Sequence, residues 1–168
     1  VALPPQLVAK WKAEGRYAQE MEELDAFFAR TGHPRAPRFY IMKWLTDYIT
    51  EFGIDGYRVD TVKHAEEYVW QEFSKECDYS FAQYKKNHPE KVLDNNDFYL
   101  VGEVYNYGIS TGTTYDFGDK KVNYFDNAFQ SLINFDLKWN AQQMAAKEVF
   151  FKYDSILNSS LKDYGVLN

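Results

Sequence analysis

Much of what commonly defines a protein's class is missing from this sequence. Cysteine occurs once, at Cys77, so neither an intramolecular disulfide nor a cysteine-built zinc site can form. No apolar run approaches the roughly 20 residues of a membrane-spanning helix, and no Pro/Ser-rich or low-complexity tract interrupts the chain. Positive charge is scarce: 19 Lys and Arg stand against 25 Asp and Glu, a net charge of −6. That balance excludes nucleic acid as an electrostatic partner. The short basic pairs Lys85-Lys86 and Lys120-Lys121 read as solvated surface. No glycine-rich phosphate fingerprint follows any expected strand, which weighs against a nucleotide-binding doubly wound fold. The chain opens "VALPPQ" without Met and without a signal peptide, and is expected to be a processed or excised piece of something longer.

Aromatic residues, by contrast, are abundant. Fourteen Tyr, thirteen Phe and four Trp make up 18% of 168 residues, in a chain that is 45% hydrophobic. One well-buried domain is the expectation at this length. The rings suit a large core, or a cleft that stacks flat ligands such as sugars. Trp11, Trp44, Trp70 and Trp139 all fall in helical patterns and are expected in the core.

Residues 1–52 carry helical periodicity in three stretches. "PPQLVAKWKAEG" opens on proline and meets Gly15; "RYAQEMEELDAFFARTG" ends at Gly32; "RFYIMKWLTDYITEFG" ends at Gly53. The period then changes. "IDGYRV" reads as a strand, residues 64–88 as a long helix stopped by Pro89, and "FYLVGEV" as a second strand. Residues 106–126 read as loop with at most a short helix. "SLINFDL" reads as a third strand, and residues 138–163 as mostly helical. Alternating strands and helices predict an α/β fold with parallel strands, and the remaining common architecture is a partial TIM (β/α)8 barrel.

Alternation along a strand puts Arg58 and Asp60 on one face and Tyr57 and Val59 on the other. The Tyr57 face should pack on helices, leaving Arg58 and Asp60 at the C-terminal mouth. The same rule aligns Tyr99, Val101 and Glu103, with Glu103 last. Two neighbouring strands thus each end in a carboxylate. Retaining glycoside hydrolysis uses such a pair about 5–5.5 Å apart, one ionised and one protonated. Arg58 beside Asp60 should lower the pKa of that acid, whereas Glu103 has no cation next to it in sequence. An ordinary buried Arg–Asp pair with a strand-end Glu explains the same spacing equally well.

The residues themselves carry a resemblance. "GIDGYRVDTVKH" resembles the second signature region of the α-amylase family (glycoside hydrolase family 13), and "FYLVGEV" resembles its third. With "VALPPQLVAKW", "NNDFYLVGE" and "FDNAFQSLINFDL", the chain looks most like the bacterial periplasmic-type α-amylases. The resemblance implies about strands 4 to 6 of one catalytic barrel, with residues 1–52 as a helical lead-in and 53–168 as βα units. It implies Asp60 as nucleophile, Glu103 as general acid/base and Arg58 as the group that orients and ionises Asp60. Lys63 and His64 would bind the acceptor sugar. The main-chain carbonyl of His64 would help to hold a structural calcium whose other ligands come from elsewhere. An α-glucan or maltooligosaccharide is the implied substrate, and a periplasmic or extracellular location goes with it. Tyr105, Tyr107 and Tyr115, in the loop after Glu103, are the rings best placed to stack sugars.

Other family features do not match. The only Asn-His pair, Asn87-His88, follows the second motif and has Gln83 where an Asp is required. No His precedes an Asp: His33 and His88 precede Pro, and His64 precedes Ala. The third acid of the family is therefore not in this sequence, and the isolated chain is expected to be inactive and prone to self-association through open strand edges. Asp116, Asp119, Asp126 and Asp136 rank below Asp60 and Glu103 as functional acids. A transglycosidase or a sucrose- or trehalose-acting enzyme would use the same two carboxylates; a non-catalytic carbohydrate-binding relative would need neither.

Overall fold

The computed structural model describes residues 2–136, 138 and 146–160. They fall into two compact units, Val1–Ile54 with Tyr79–Val92, and Asp55–Asp78 with Leu93–Asn168.

The first unit is helical. Helices α1 (Pro5–Ala13), α2 (Tyr17–Thr31) and α3 (Pro37–Phe52) follow the three periodic stretches, and both α1 and α3 begin on proline. There the missing N–H costs nothing, because the first-turn donors have no partner within the helix. Gly32 and Gly53 close α2 and α3 in the left-handed conformation that glycine adopts without penalty. The buried stripes are Leu24, Phe27 and Phe28 on α2, and Phe39, Tyr40, Met42, Thr46 and Ile49 on α3. Phe28 meets Tyr40 edge-on at 5.1 Å, and Trp11 meets Trp44 at 6.3 Å. His33 stacks on Phe39 at 4.0 Å, as a turn residue packed on the core.

The second unit is built on a three-stranded parallel sheet. Strands β1 (Gly56–Val59), β2 (Tyr99–Gly102) and β5 (Ser131–Leu132) lie in the order β1-β2-β5. The register pairs Gly56 with Tyr99 and Val59 with Gly102. Gly56 is required there, since a Cβ would sit 2.4 Å from the Tyr99 carbonyl oxygen. Helix α4 (Glu67–Asn87) opens in this unit and supplies buried Phe73 and Cys77. Tyr57 packs on Phe73 and Phe98, at 6.0 and 5.7 Å, so this face of β1 is the packed one. Arg58, on the opposite face, is exposed.

Two expectations are corrected here. The stretch expected as loop with at most a short helix holds a 3-10 turn, Ile109–Thr111, and also an antiparallel hairpin, β3 (Tyr115–Asp116) and β4 (Lys121–Val122). Its turn is closed by Phe117 N–H to the Lys120 carbonyl at 2.8 Å, and by Gly118 N–H to Asp116 Oδ1 at 2.7 Å. The third strand is shorter than "SLINFDL". Asn134 Oδ1 accepts from the N–H groups of Asp136 and Ile109, which draws the chain off the ladder. Asp136 then lies past the strand and holds the Ser110 N–H and hydroxyl, each at 2.9 Å, so it does not end β5. The last described helix is α5 (Ala146–Ser160). Trp139 lies outside the described residues.

Candidate active site

The ends of β1 and β2 are clasped by one residue's backbone. Glu103 N–H donates to the Val59 carbonyl at 2.8 Å, and the Glu103 carbonyl accepts from Val62 N–H at 3.0 Å. Asp60 and Thr61 are the two residues enclosed by that clasp. Thr61 has φ 50° and ψ 42°, a left-handed conformation in which a β-branched residue is rare. Such backbone persists where its surroundings over-determine it. Here the Glu103 clasp holds one side, and Val62, wholly buried and opening the 3-10 turn Val62–His64, holds the other. Trp70 of α4 adds a third tie, its Nε1–H donating to the Val62 carbonyl at 3.0 Å.

This frame brings Arg58, Asp60 and Glu103 together. Arg58 Nη2 donates to Glu103 Oε2 at 2.5 Å, and Arg58 Nη1 lies 3.3 Å from Asp60 Oδ1. Arg58 therefore touches both acids, and its shorter contact is to Glu103, the acid for which sequence spacing offered no cation. The Asp60 side chain is 64% exposed and that of Glu103 19%. Their pKa values move apart. Asp60 is held below the ordinary carboxylate value, first by its hydrogen bond with Glu103 and then by the Arg58 charge and the Thr61 N–H, against a burial cost. Glu103 is pushed above its ordinary value, first by that same hydrogen bond, then by burial and the Asp60 charge, with Arg58 opposing. An ionised Asp60 accepting from a protonated Glu103 accounts for both directions.

The other expected site residues lie in the same unit but differ in character. Lys63 is half-buried, and its Nζ donates to the Tyr115 hydroxyl at 2.9 Å. The ammonium also sits 4.6 Å from the centre of the Tyr115 ring and 5.7 Å from that of Tyr105. Tyr105 is exposed, set edge-on to Phe135 at 5.4 Å, and Lys138 Nζ lies 5.2 Å from its ring centre. His64 is exposed. Tyr107 departs from expectation: it is only 1% exposed, with its hydroxyl donating to the Gly112 carbonyl at 3.1 Å. It packs edge-on to Phe125 and offers no face to a sugar. Tyr115, at the start of the hairpin, acquires a contact that its sequence neighbours did not signal. Among the described residues, no three or more His, Cys, Asp or Glu side chains gather to hold a metal ion.

Comparison with known proteins follows the same direction. The periplasmic α-amylase of Escherichia coli is 36% identical over 113 residues, covering 67% of this chain and 15% of that protein. An α-amylase of Streptomyces lividans is 32% identical over 68 residues, 40% of this chain and 6% of that protein. Two solved structures also match. An Anoxybacillus α-amylase has a TM-score of 0.44 at 24% identity, over 71% of this chain and 23% of that one. The α-amylase of Geobacillus thermoleovorans, crystallised with acarbose, has a TM-score of 0.43 at 26% identity, over 63% of this chain and 19% of that one. The chain spans less than a quarter of the length of each of these relatives. No protein-family model matches it. By its sequence likeness the chain is α-amylase-like, of the glycoside hydrolase family 13 kind.

Proposed function

We propose that this chain supplies the nucleophile and the acid/base of a retaining α-glucan hydrolase, as about strands 4 to 6 of a (β/α)8 barrel. One observation carries the reading: Arg58 reaches both Asp60 and Glu103, which follow adjacent parallel strands, and the two carboxyl groups are pushed in opposite directions. An acid/base assignment needs such a split.

In the proposed reaction an Asp60 oxygen attacks the anomeric carbon of an α-1,4-linked glucosyl unit. The bond to the glycosidic oxygen breaks as Glu103 delivers its proton to that oxygen. Water then attacks the same carbon, gives its proton to Glu103, and frees Asp60. Arg58 steadies both acids. Lys63, His64 and the exposed ring of Tyr105 are proposed to bind sugar.

The substrate class is a maltooligosaccharide or longer α-glucan, and a place outside the cytoplasm goes with it, as the name of the Escherichia coli relative states for that protein. Calcium is proposed only as a structural ion, with one oxygen from the His64 carbonyl; hard cations need about six to eight oxygens, and no catalytic step runs through it. A chelator that left the thermal midpoint of the full-length enzyme unchanged would remove the ion from the scheme. The isolated chain lacks the family's third acid and is proposed to be inactive, with the outer edges of β1 and β5 open to self-association.

A fluorinated glucosyl substrate, which slows the second step, tests the reading in the full-length enzyme. Mass spectrometry should find a glucosyl adduct on the peptide containing Asp60. An adduct elsewhere, or inverted product stereochemistry by NMR, overturns it.

A further inference from the structure

The β3–β4 hairpin has no part in the chemistry above, yet it is fastened more firmly than strands of two residues require. Val122 and Tyr124 bury its return strand. At the turn, Lys120 Nζ lies 3.0 Å from Glu66 Oε2 and 3.2 Å from Glu67 Oε2, where α4 begins. At the outgoing strand, Tyr115 accepts from Lys63. The hairpin therefore straps the short segment from Lys63 to Glu67 at both ends.

A lysine ammonium is a compact charge on a flexible stem with three donors. Left alone, it would lose freedom each time it bound a sugar hydroxyl. Tyr115 removes most of that freedom in advance. Its hydroxyl takes one donor, and its ring and that of Tyr105 flank the cation at 4.6 and 5.7 Å. Two donors of Lys63 stay available, and the Tyr115 proton can serve a second hydroxyl beside them.

We propose that Tyr115 is a positioning residue that holds Lys63 ready to bind acceptor-side sugar hydroxyls, an inference that rests on the glycosidase reading above. The Lys120 bridge acts further back, keeping the hairpin in register with the segment that Lys63 opens.

A double-mutant cycle in the full-length enzyme tests the coupling on a short maltooligosaccharide. Tyr115→Phe keeps the ring and removes the hydroxyl. It should raise KM about threefold to tenfold, the range of a typical net hydrogen-bond contribution, while kcat changes less than twofold. In a Lys63→Met background the same substitution should change KM by less than twofold. A purely structural hairpin contact would instead lower the thermal midpoint and give the same KM change in both backgrounds. That result overturns the inference, as does an unchanged KM in Tyr115→Phe or in Lys63→Met. The cycle depends on Lys63 and Tyr115 alone, whereas the glycosyl adduct depends on Asp60. An adduct on Asp60 with no coupling between Tyr115 and Lys63 removes only the Tyr115 role.

Discussion

A cation facing two carboxylates occurs in each unit, and the Lys43 and Arg58 clusters behave differently. In the helical unit Lys43 Nζ lies 2.7 Å from both Glu23 Oε2 and Asp47 Oδ2. In the sheet unit Arg58 faces Asp60 and Glu103. The Lys43 side chain is 6% exposed, whereas that of Arg58 is 52% exposed. Both clusters split their carboxyl pKa values, but for different reasons. Glu23 is lowered first by its bond to Lys43, and Asp47 is raised first by burial. Asp60 and Glu103 are split first by the hydrogen bond between them. A buried cation with separate partners serves packing. An exposed cation beside two strand-end acids leaves Asp60 open to solvent. Ionic composition alone does not separate structure from chemistry; who bonds to whom does.

On the proposed mechanism, the largest expected effects fall on the two acids themselves. In the full-length enzyme Glu103→Gln removes the proton donor and should lower kcat/KM on maltooligosaccharides by about 10²–10⁴-fold. It should lose far less on an aryl glycoside, whose leaving group needs no proton. Asp60→Asn should lose at least as much on both substrates, because the attacking oxygen is gone. If Asp60→Asn were the variant that spared the aryl glycoside, the two roles would have to be exchanged.

Arg58→Met comes next, and its sign follows from the two contacts. Arg58 lowers Asp60 and also lowers Glu103. The proposed mechanism needs Asp60 ionised and Glu103 protonated, so the acid limb of the pH profile should report the first and the alkaline limb the second. Removing the cation raises both values, and both limbs of kcat/KM should move to higher pH. Movement of one limb only would mean that Arg58 serves a single acid.

These acids were legible in the sequence because two short strands place them by parity. Gly-Tyr-Arg-Val-Asp and Leu-Val-Gly-Glu each put the acid at the end of an alternating run, and parallel register brings the ends together. What parity could not convey was contact across the ladder. The Arg58–Glu103 bond spans 45 residues, and the Val62–Glu103 clasp depends on a left-handed Thr61 that no local pattern announces. The hairpin is not visible in the sequence because two-residue strands show no periodicity, although Asp116-Phe117-Gly118 is a turn signal. Tyr107 is hard to read for a related reason: it sits two residues from exposed Tyr105 in one loop, and its packing on Phe125 and its hydroxyl bond to the Gly112 carbonyl set it apart. In the helical unit Lys43–Asp47 is visible as an i,i+4 pair, but Glu23, on another helix, is not.

Lys43→Met sharpens the comparison from the structural side. The substitution strands two carboxylates beside an apolar side chain. Since solvent still reaches both, the cost should be about 1–2 kcal/mol, read as a lower urea midpoint of the chain at unchanged slope. The pH dependence carries the sign. In the native chain Glu23 has a depressed pKa, so its contribution is present above its unfolded value and fades as pH falls through the folded one. In the variant both carboxyl groups lose the cation and favour the proton, so acidification relieves their repulsion. The stability gap between the two proteins should therefore narrow as pH falls below about 4.5. A gap independent of pH would make the loss one of packing rather than charge.

The smallest effect concerns what backs the reactive pair. Trp70→Phe keeps a ring against Phe129, which Trp70 meets at 5.9 Å, but removes the N–H that reaches the Val62 carbonyl. That carbonyl retains a bond from Ala65 N–H at 3.3 Å, so no acceptor is left bare and the cost in stability should be about 0.5–1.5 kcal/mol. The consequence for Asp60 is more telling than the cost. Glu103's backbone still clasps residues 60 and 61 from the other side, so the loop should hold its shape and the pH limbs of kcat/KM should stay within about 0.3 units, far less than the shift expected of Arg58→Met. If Trp70→Phe moved those limbs as far as Arg58→Met does, the split between the two acids would depend on the fold behind them and not on the bond between them.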